Sequence, residues 1–135
     1  NFGNFKKMKL MNFGVSNKNC KIGFDALSHM GSRINKKSLN KTKFITLDKL
    51  SIKADIIKID VEGNEKDVLE GAIKTIDNFK PNLCISIYHH STNLTDVYSL
   101  LKDKYKYFAF RSSSNCHLGS TLYASDKLDN PLFSI

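Results

Sequence analysis

The stretch IIKIDVEGNEKDVLEGA, residues 56–72, decides how the rest of the chain is interpreted. It opens with a short apolar run, typical of a strand buried on both faces, which ends at Asp60. Glu62 and Gly63 follow, and apolar residues then recur at helical spacing over residues 64–78. The strand therefore delivers two carboxylates and a glycine to its carboxyl end, the place where open parallel sheets bind ligands.

A second apolar run, NLCISIYHH at residues 82–90, ends in His89 and His90. One predicted helix separates the two runs, which is the spacing of a right-handed crossover between parallel neighbours. We therefore expect the side chains of Asp60 and His89 to approach each other at one rim of the sheet. Neighbouring residues of a strand point in opposite directions, so only one histidine can face that rim, where an imidazole could act as a general base.

The remaining patterns complete an α/β arrangement of parallel strands with one antiparallel partner. A polar, lysine-rich segment at 27–43 predicts a surface loop, and a turn or single helical turn precedes the strand that begins at residue 54. We predict one domain over residues 1–135, with its ordered core at 54–126. The other predicted elements are strands at 8–16, 20–26, 105–110 and 120–125, a strand beginning at 43, and a helix at 94–104.

The amino-acid composition indicates which kinds of binding partner suit this chain. The net charge is +8, and the first 58 residues hold 13 of the 21 Lys and Arg against three acids. A basic arm for nucleic acid is one interpretation, but 19 of the 21 are lysine, which argues against a base-reading site and favours a solvated surface. No apolar run approaches the roughly 20 residues that span a bilayer. Three scattered cysteines indicate a reducing, cytoplasmic compartment.

The motifs D-V-E-G-x-E, L-x-G-A, K-P and I-Y-H within residues 60–89 resemble those of the FkbM-type methyltransferases in order and spacing. Weaker similarity extends upstream through NFGVSNKN, GSRI and ITLDKL and downstream through FAFR and STLYAS, covering residues 8–126. The resemblance implies a partial Rossmann-like class I methyltransferase sheet, mostly parallel, with one antiparallel strand near the carboxyl terminus.

The resemblance also implies S-adenosylmethionine as cofactor and methyl transfer to a hydroxyl group of a saccharide or another small molecule, with no metal. The alternative to a functional role is a helix-capping acid for Asp60 and a solvated side chain for Glu62. For Glu65 it is a contact with the helix dipole, and for His89 a structural polar contact. We predict three groups of site residues: catalytic Asp60, Glu62 and His89; cofactor-binding Gly14, Val15 and Asp60; and substrate-binding Glu65, His90 and Arg111.

One part of the family pattern has no counterpart in this chain. The first strand with its glycine-rich turn, and the acidic end of the second strand, are absent, so the resemblance covers only the carboxyl-terminal half of the enzyme. We therefore expect the 135 residues alone to bind S-adenosylmethionine weakly and to be inactive. We also expect the strand at 8–16 to lack neighbours, leaving the first third mobile, supported by further protein, or paired with another copy in a homo-oligomer.

Two other classes of function stay open. A non-catalytic binding or assembly module could keep this fold without the cofactor half. A metal-dependent hydrolase could use Asp60, Glu62 and His89, because carboxylates and imidazoles are common metal ligands.

Overall fold

The first half of the chain forms a small sheet of its own. The computed structural model describes residues 8–25, 32–112 and 119–127. The first sheet has the order β1-β4-β2-β3, in which β1 and β4 are parallel and the other two pairs are antiparallel. Its strands are β1 (Gly14–Val15), β2 (Cys20–Asp25), β3 (Arg33–Ile34) and β4 (Lys41–Ile45).

The second sheet carries the helices and has the order β5-β6-β8-β7. Strands β5 and β6 are parallel, with Ile59 opposite Ile85, so their carboxyl ends share one rim. Strand β8 is antiparallel to both β6 and β7. The elements of this part are a 3-10 helix (Leu47–Leu50), β5 (Ile56–Ile59), α1 (Glu65–Glu70), α2 (Ile73–Phe79), β6 (Asn82–Ser86), α3 (Asn93–Leu101), β7 (Tyr107–Arg111) and β8 (Thr121–Ser125).

The expected mostly parallel sheet is not confirmed. Among the described residues, four of the six strand pairs are antiparallel. The reason is that β2 pairs antiparallel with both of its neighbours in the first sheet, while β8 enters between β6 and β7 and runs against both. The predicted antiparallel strand near the carboxyl terminus is present as β8. The mixed α/β class and the parallel pair β5–β6 are also present.

The hydrophobic core lies between the second sheet and the helices. Leu69 and Ile76 from the helices pack in one buried cluster with Leu83 and Ile85 of β6. Fully burying one such side chain contributes about 1.5–3 kcal/mol. The prediction that β5 is buried on both faces is wrong, because the helices cover one face only. Ile56 is 62% exposed, and Ile59 is buried.

The helix predicted over residues 64–78 is two helices, α1 and α2. Gly71 follows α1 at a point where a Cβ atom would collide with the backbone carbonyl of Ser16. The carboxylate of Asp48 then accepts the N–H groups of Lys74 and Thr75, at 3.1 and 2.8 Å, and the Thr75 hydroxyl at 2.8 Å. Asp48 thus satisfies the first N–H groups of α2 from a distant part of the chain, which periodicity cannot reveal.

Two predictions for the first third of the chain are wrong. The strand expected at 8–16 is reduced to β1, and it is paired, with Gly14 opposite Phe44 of β4. The segment 27–43, predicted as a loop, contributes β3 and the start of β4, while residues 26–31 lie outside the described part. Gly14, Val15 and Ser16 therefore find backbone partners on β4 within this chain.

The later elements follow the predictions more closely. Strands β7 and β8 and helix α3 lie within a few residues of their predicted limits, whereas the strand predicted at 82–90 ends at Ser86. Cys20 and Cys84 are free thiols. His29, Cys116 and His117 lie outside the described residues. Over the described ranges, none of the helices has the length and apolar character needed to cross a bilayer.

Candidate active site

A strained turn follows β5 at the shared rim. Glu62 and Gly63 both have positive φ angles, 52° and 97°. For a residue other than glycine this conformation costs about 1–3 kcal/mol, and it persists only where the surroundings enforce it. At Gly63 a Cβ atom would in addition collide with the imidazole of His90. The turn therefore needs glycine at residue 63, and it brings the carboxylate of Glu62 back toward the end of β6.

Glu65 lies beneath this turn and has no exposed surface. Its Oε1 accepts the N–H groups of Val61 and Gly63 at 3.4 and 3.3 Å, and it lies 2.8 Å from Nδ1 of His89. Its Oε2 accepts the side-chain amide of Asn93 at 3.1 Å. Glu65 was predicted to bind substrate. In the structure both of its oxygen atoms face protein donors, and its contact with a substrate stays a prediction.

His89 connects the buried carboxylate to the rim. Its side chain is 10% exposed, and its Nε2 lies 3.4 Å from Glu62 Oε2 and 3.9 Å from Asp60 Oδ1. Nε2 is buried and has no hydrogen-bond partner. The predicted approach of Asp60 and His89 at the ends of adjacent parallel strands is confirmed. Carboxylate oxygens of Asp60, Glu62 and Glu65 thus lie around one imidazole ring.

Asp60 is held by groups on the uncovered face of the second sheet. Lys58 Nζ donates to Asp60 Oδ2 at 3.2 Å and to Ser86 Oγ at 3.0 Å, and the Tyr88 hydroxyl donates to Asp60 Oδ1 at 3.3 Å. Burial alone would raise the pKa of Asp60, but hydrogen bonds from Lys58 and Ser86 and the charge of Lys58 outweigh burial and lower it. Asp60 is therefore ionised at neutral pH.

Tyr88 links Asp60 to His89. Its ring lies 4.1 Å from the imidazole of His89, between ring centroids. Burial, followed by the negative charge of Asp60, raises the pKa of Tyr88. The phenol therefore keeps its proton and acts as a donor to Asp60 at neutral pH.

A cavity of about 590 Å³ opens beside this cluster, between the first sheet and the turn after β5. Gly14 and Val15, predicted at the cofactor, line it on the side of the first sheet, and Asp60 and Glu62 line the opposite side. His89 does not line the cavity and lies behind Glu62. The apolar part of the wall includes Phe13, Phe24, Ile34 and Phe44. The cavity thus combines aromatic surface with ionised carboxylate.

Two predicted substrate residues lie apart from the cavity. His90 is exposed and packs against Gly63. Arg111 ends β7 at the far edge of the second sheet, opposite Thr121, and its charge acts on Tyr123. The substrate contacts of His90 and Arg111 remain predictions. In the part of the chain that the structure describes, no group of three or more His, Cys, Asp or Glu residues is arranged to hold a metal ion.

The sequence interpretation missed three residues of the cluster: Lys58, Tyr88 and Asn93. Lys58 could have been found, because residues two apart in a strand share a face and Lys58 precedes Asp60 by two. Tyr88 could have been found in the same way, because it follows Ser86 by two residues along the same apolar run. Asn93 reaches Glu65 because α3 packs against α1, and no local pattern reports that packing.

Comparison with known proteins identifies the family. The family model described as the methyltransferase FkbM domain matches residues 9–112. No protein of curated function matches the sequence. Among solved structures, the chain is similar to methyltransferase FkbM from Methylobacillus flagellatus KT, with 24% sequence identity and a TM-score of 0.71. That match covers 90% of this chain and 30% of the other, and at this identity it concerns the fold alone. Because the family model spans more than half of its residues, the chain belongs to the FkbM methyltransferase domain family.

Proposed function

We propose that this chain contributes the catalytic rim of an S-adenosylmethionine-dependent methyltransferase that methylates a hydroxyl group on a saccharide or another small metabolite. Family membership supports the reaction class. One structural observation supports assigning the reaction to particular residues. The side chains of Asp60, Glu62 and His89 converge where the parallel strands β5 and β6 end, beside the 590 Å³ cavity.

The cavity residues fit S-adenosylmethionine. Its adenine is a flat aromatic ring, and the side chains of Phe13, Phe24 and Phe44 offer surfaces on which such a ring can pack. Its sulfonium is a cation, and Asp60 across the cavity is an ionised carboxylate. Gly14 and Val15 line the same side of the cavity as the aromatic rings, in keeping with their predicted role. When bound, the cofactor supplies an electrophilic methyl group.

The carboxylates and the histidine act on the acceptor. A hydroxyl loses its proton when its oxygen is methylated, so a base must stand beside it. Glu62 is 43% exposed and lines the cavity, whereas Nε2 of His89 is buried 3.4 Å behind it. We assign the hydroxyl contact to Glu62 and the final proton site to His89 Nε2. The resulting imidazolium is stabilised by the carboxylates on both sides of the ring.

Asp60 serves binding more than turnover in this scheme. Lys58 and Tyr88 hold its carboxylate in place, so it presents a fixed negative charge to a cationic ligand. Methyl transfer removes the positive charge of the sulfonium, so attraction to Asp60 is stronger before the reaction than at the transition state. Such an interaction strengthens binding without accelerating the chemical step.

Isotope-labelled methyl transfer tests the proposal. The full-length protein that contains this chain is incubated with methyl-labelled S-adenosylmethionine and a panel of saccharide and small-molecule alcohols, and products are identified by mass spectrometry. We expect label on a hydroxyl oxygen. Glu62→Gln should slow the transfer by about 10²-fold or more, the usual size of a general-base contribution. The matched control is Asp103→Asn, an exposed carboxylate in the turn after α3, which should leave the rate unchanged.

Two results would count against the proposal. Label found on amine acceptors alone would remove the hydroxyl chemistry. Equal rates for Glu62→Gln and Asp103→Asn would remove the assigned base. Acceptor binding without any transfer would favour the non-catalytic module instead.

A further inference from the structure

We infer that Glu65 is the positioning residue of the site, which fixes the ring of His89 in the tautomer that carries its proton on Nδ1 and its lone pair on Nε2. The catalytic consequence rests on the proposed function. The tautomer itself is a property of the chain and can be measured without any cofactor or acceptor.

The environment of Glu65 determines the proton arrangement. Val61 and Gly63 direct backbone N–H groups at Oε1, and such groups can only donate. Asn93 directs its amide at Oε2. A carboxylate, which only accepts, satisfies all of these donors. A protonated carboxyl could place its hydrogen only on Nδ1, and between a carboxylate and an imidazole the proton rests on the imidazole, which is the more basic group. The contact of 2.8 Å between Glu65 Oε1 and His89 Nδ1 is therefore an Nδ1–H group donating to a carboxylate.

The other side of the ring completes the assignment. With the proton on Nδ1, neutral His89 has its lone pair on Nε2, the atom that is buried without a hydrogen-bond partner. Nε2 faces Glu62 Oε2 at 3.4 Å and Asp60 Oδ1 at 3.9 Å, and the Tyr88 ring packs against the imidazole. The unpartnered atom is thus the one that the proposed reaction needs as proton acceptor. In free histidine the opposite tautomer predominates, so an external group must impose this one.

Glu65 also connects three segments of the chain whose contact the spacing of apolar residues cannot predict. It belongs to α1, His89 lies in the segment after β6, and Asn93 is the first residue of α3. A contact with the helix dipole alone would explain an acid in the first turn of α1. It would not explain a fully buried carboxylate that receives donors from the turn after β5, from His89 and from α3.

Nitrogen NMR of the histidine ring tests the inference directly. The 135-residue chain is labelled with ¹⁵N-histidine, and His89 is assigned by comparison with His89→Asn. In the neutral form we expect Nδ1 to be protonated and Nε2 unprotonated, with a preference of about tenfold or more, as a hydrogen bond to a charged group implies. Exposed His90 provides an internal reference in the same spectrum. A wild-type His89 with its proton on Nε2 would overturn the inference without any variant.

Three variants separate positioning from a merely structural role. Glu65→Gln should keep the tautomer, because the N–H groups of Val61 and Gly63 hold the amide oxygen where Oε1 was. Glu65→Leu removes the acceptor and should move the proton to Nε2, which then donates to Glu62. Glu62→Gln alters the opposite side of the ring and should leave Nδ1 protonated. Loss of the tautomer in Glu65→Gln, or its retention in a folded Glu65→Leu, would contradict the inference.

The two proposals fail in different ways. If the wild-type tautomer is as expected and methyl transfer is absent, the proposed function falls and the positioning by Glu65 stands. If methyl transfer occurs and the tautomer is reversed, only the positioning role falls.

Discussion

The two sheets differ in what stabilises them. The second sheet packs against helices through a cluster of fully buried aliphatic side chains, including Leu69, Leu83 and Ile85. In the first sheet, Phe44 and Ile45 are the buried hydrophobic residues within the described ranges. Its outer face places Lys21 directly opposite Lys43, and like charges opposed across strands are destabilising. Asp60, Glu62 and His89 thus lie on the better-packed region, and the aromatic wall of the cavity lies on the less well-packed one.

The first sheet and the segments that follow its strands contact the helices through polar groups, in addition to Val15, which packs against the buried cluster. Asn17 donates to Glu70 Oε2 at 2.9 Å, and Asp48 binds the first turn of α2. Hydrogen bonds of this kind contribute about 0.5–1.5 kcal/mol each, less than one buried aliphatic side chain. We therefore expect the two regions to respond differently to substitution.

The largest effect is expected in the buried cluster. Leu69→Ala leaves a cavity at a fully buried position and should lower the free energy of unfolding by about 2–5 kcal/mol. Urea denaturation followed by circular dichroism measures the change. The matched control is Leu39→Ala, whose side chain is 95% exposed between β3 and β4, and whose effect should stay within about 0.5 kcal/mol. Equal losses for the two variants would show that Leu69 does not contribute to stability through burial in this cluster.

A smaller loss is expected at the turn of the active site. Gly63→Ala places a Cβ atom against the ring of His90 and forces alanine to a φ of 97°, which should cost about 1–3 kcal/mol. A double-mutant cycle with His90→Ala separates the two causes. His90→Ala should restore part of the loss by removing the collision, while the backbone strain remains. No recovery at all would show that the ring of His90 does not restrict this turn.

The smallest effect concerns the ionisation of Asp60. Because the folded state lowers the pKa of Asp60 below its ordinary 3.8, the carboxylate stabilises the protein above that pH. This stabilisation is lost as the pH falls through the folded pKa. Asp60 is 46% exposed, so screening by solvent limits the effect to less than about 1 kcal/mol.

Acid titration of stability checks this effect. Lys58→Met removes the hydrogen bond and the charge that lower the pKa of Asp60. This variant should therefore lose less stability than wild type between neutral pH and about pH 3. Lys53→Met, an exposed lysine before β5, is the control and should follow wild type. Matching acid profiles for Lys58→Met and Lys53→Met would show that Lys58 does not stabilise ionised Asp60.

The sequence predicts the better-packed region more fully than the other. Strong apolar runs locate β5 and β6, and the chain direction alone then brings Asp60 to His89. The break between α1 and α2 escapes prediction because Asp48, which caps α2, lies 26 residues before Lys74. Strands β1 and β3 have two residues each, too few for an alternating pattern to register.

The site shows the same division. Asp60, Glu62 and His89 lie within three residues of the carboxyl ends of β5 and β6, so their approach follows from topology. The burial of Glu65 does not, because an acid in the first turn of a helix is ordinarily solvated and favourable to the helix dipole. The wall formed by Phe13, Phe24 and Phe44 depends on how the first sheet packs over the turn, a tertiary arrangement that no short window of sequence contains.

In the proposed function, the two regions share one ligand site. Amide NMR of the ¹⁵N-labelled chain, titrated with S-adenosylhomocysteine, tests it most directly, because shift changes report even the weak binding expected of these 135 residues. Signals of Gly14 and Val15 in the first sheet should move together with those of Val61 and Glu62 after β5, with one common dissociation constant. Phe44→Ala should weaken both sets of changes. Changes confined to one region, or located away from the cavity, would contradict a shared site.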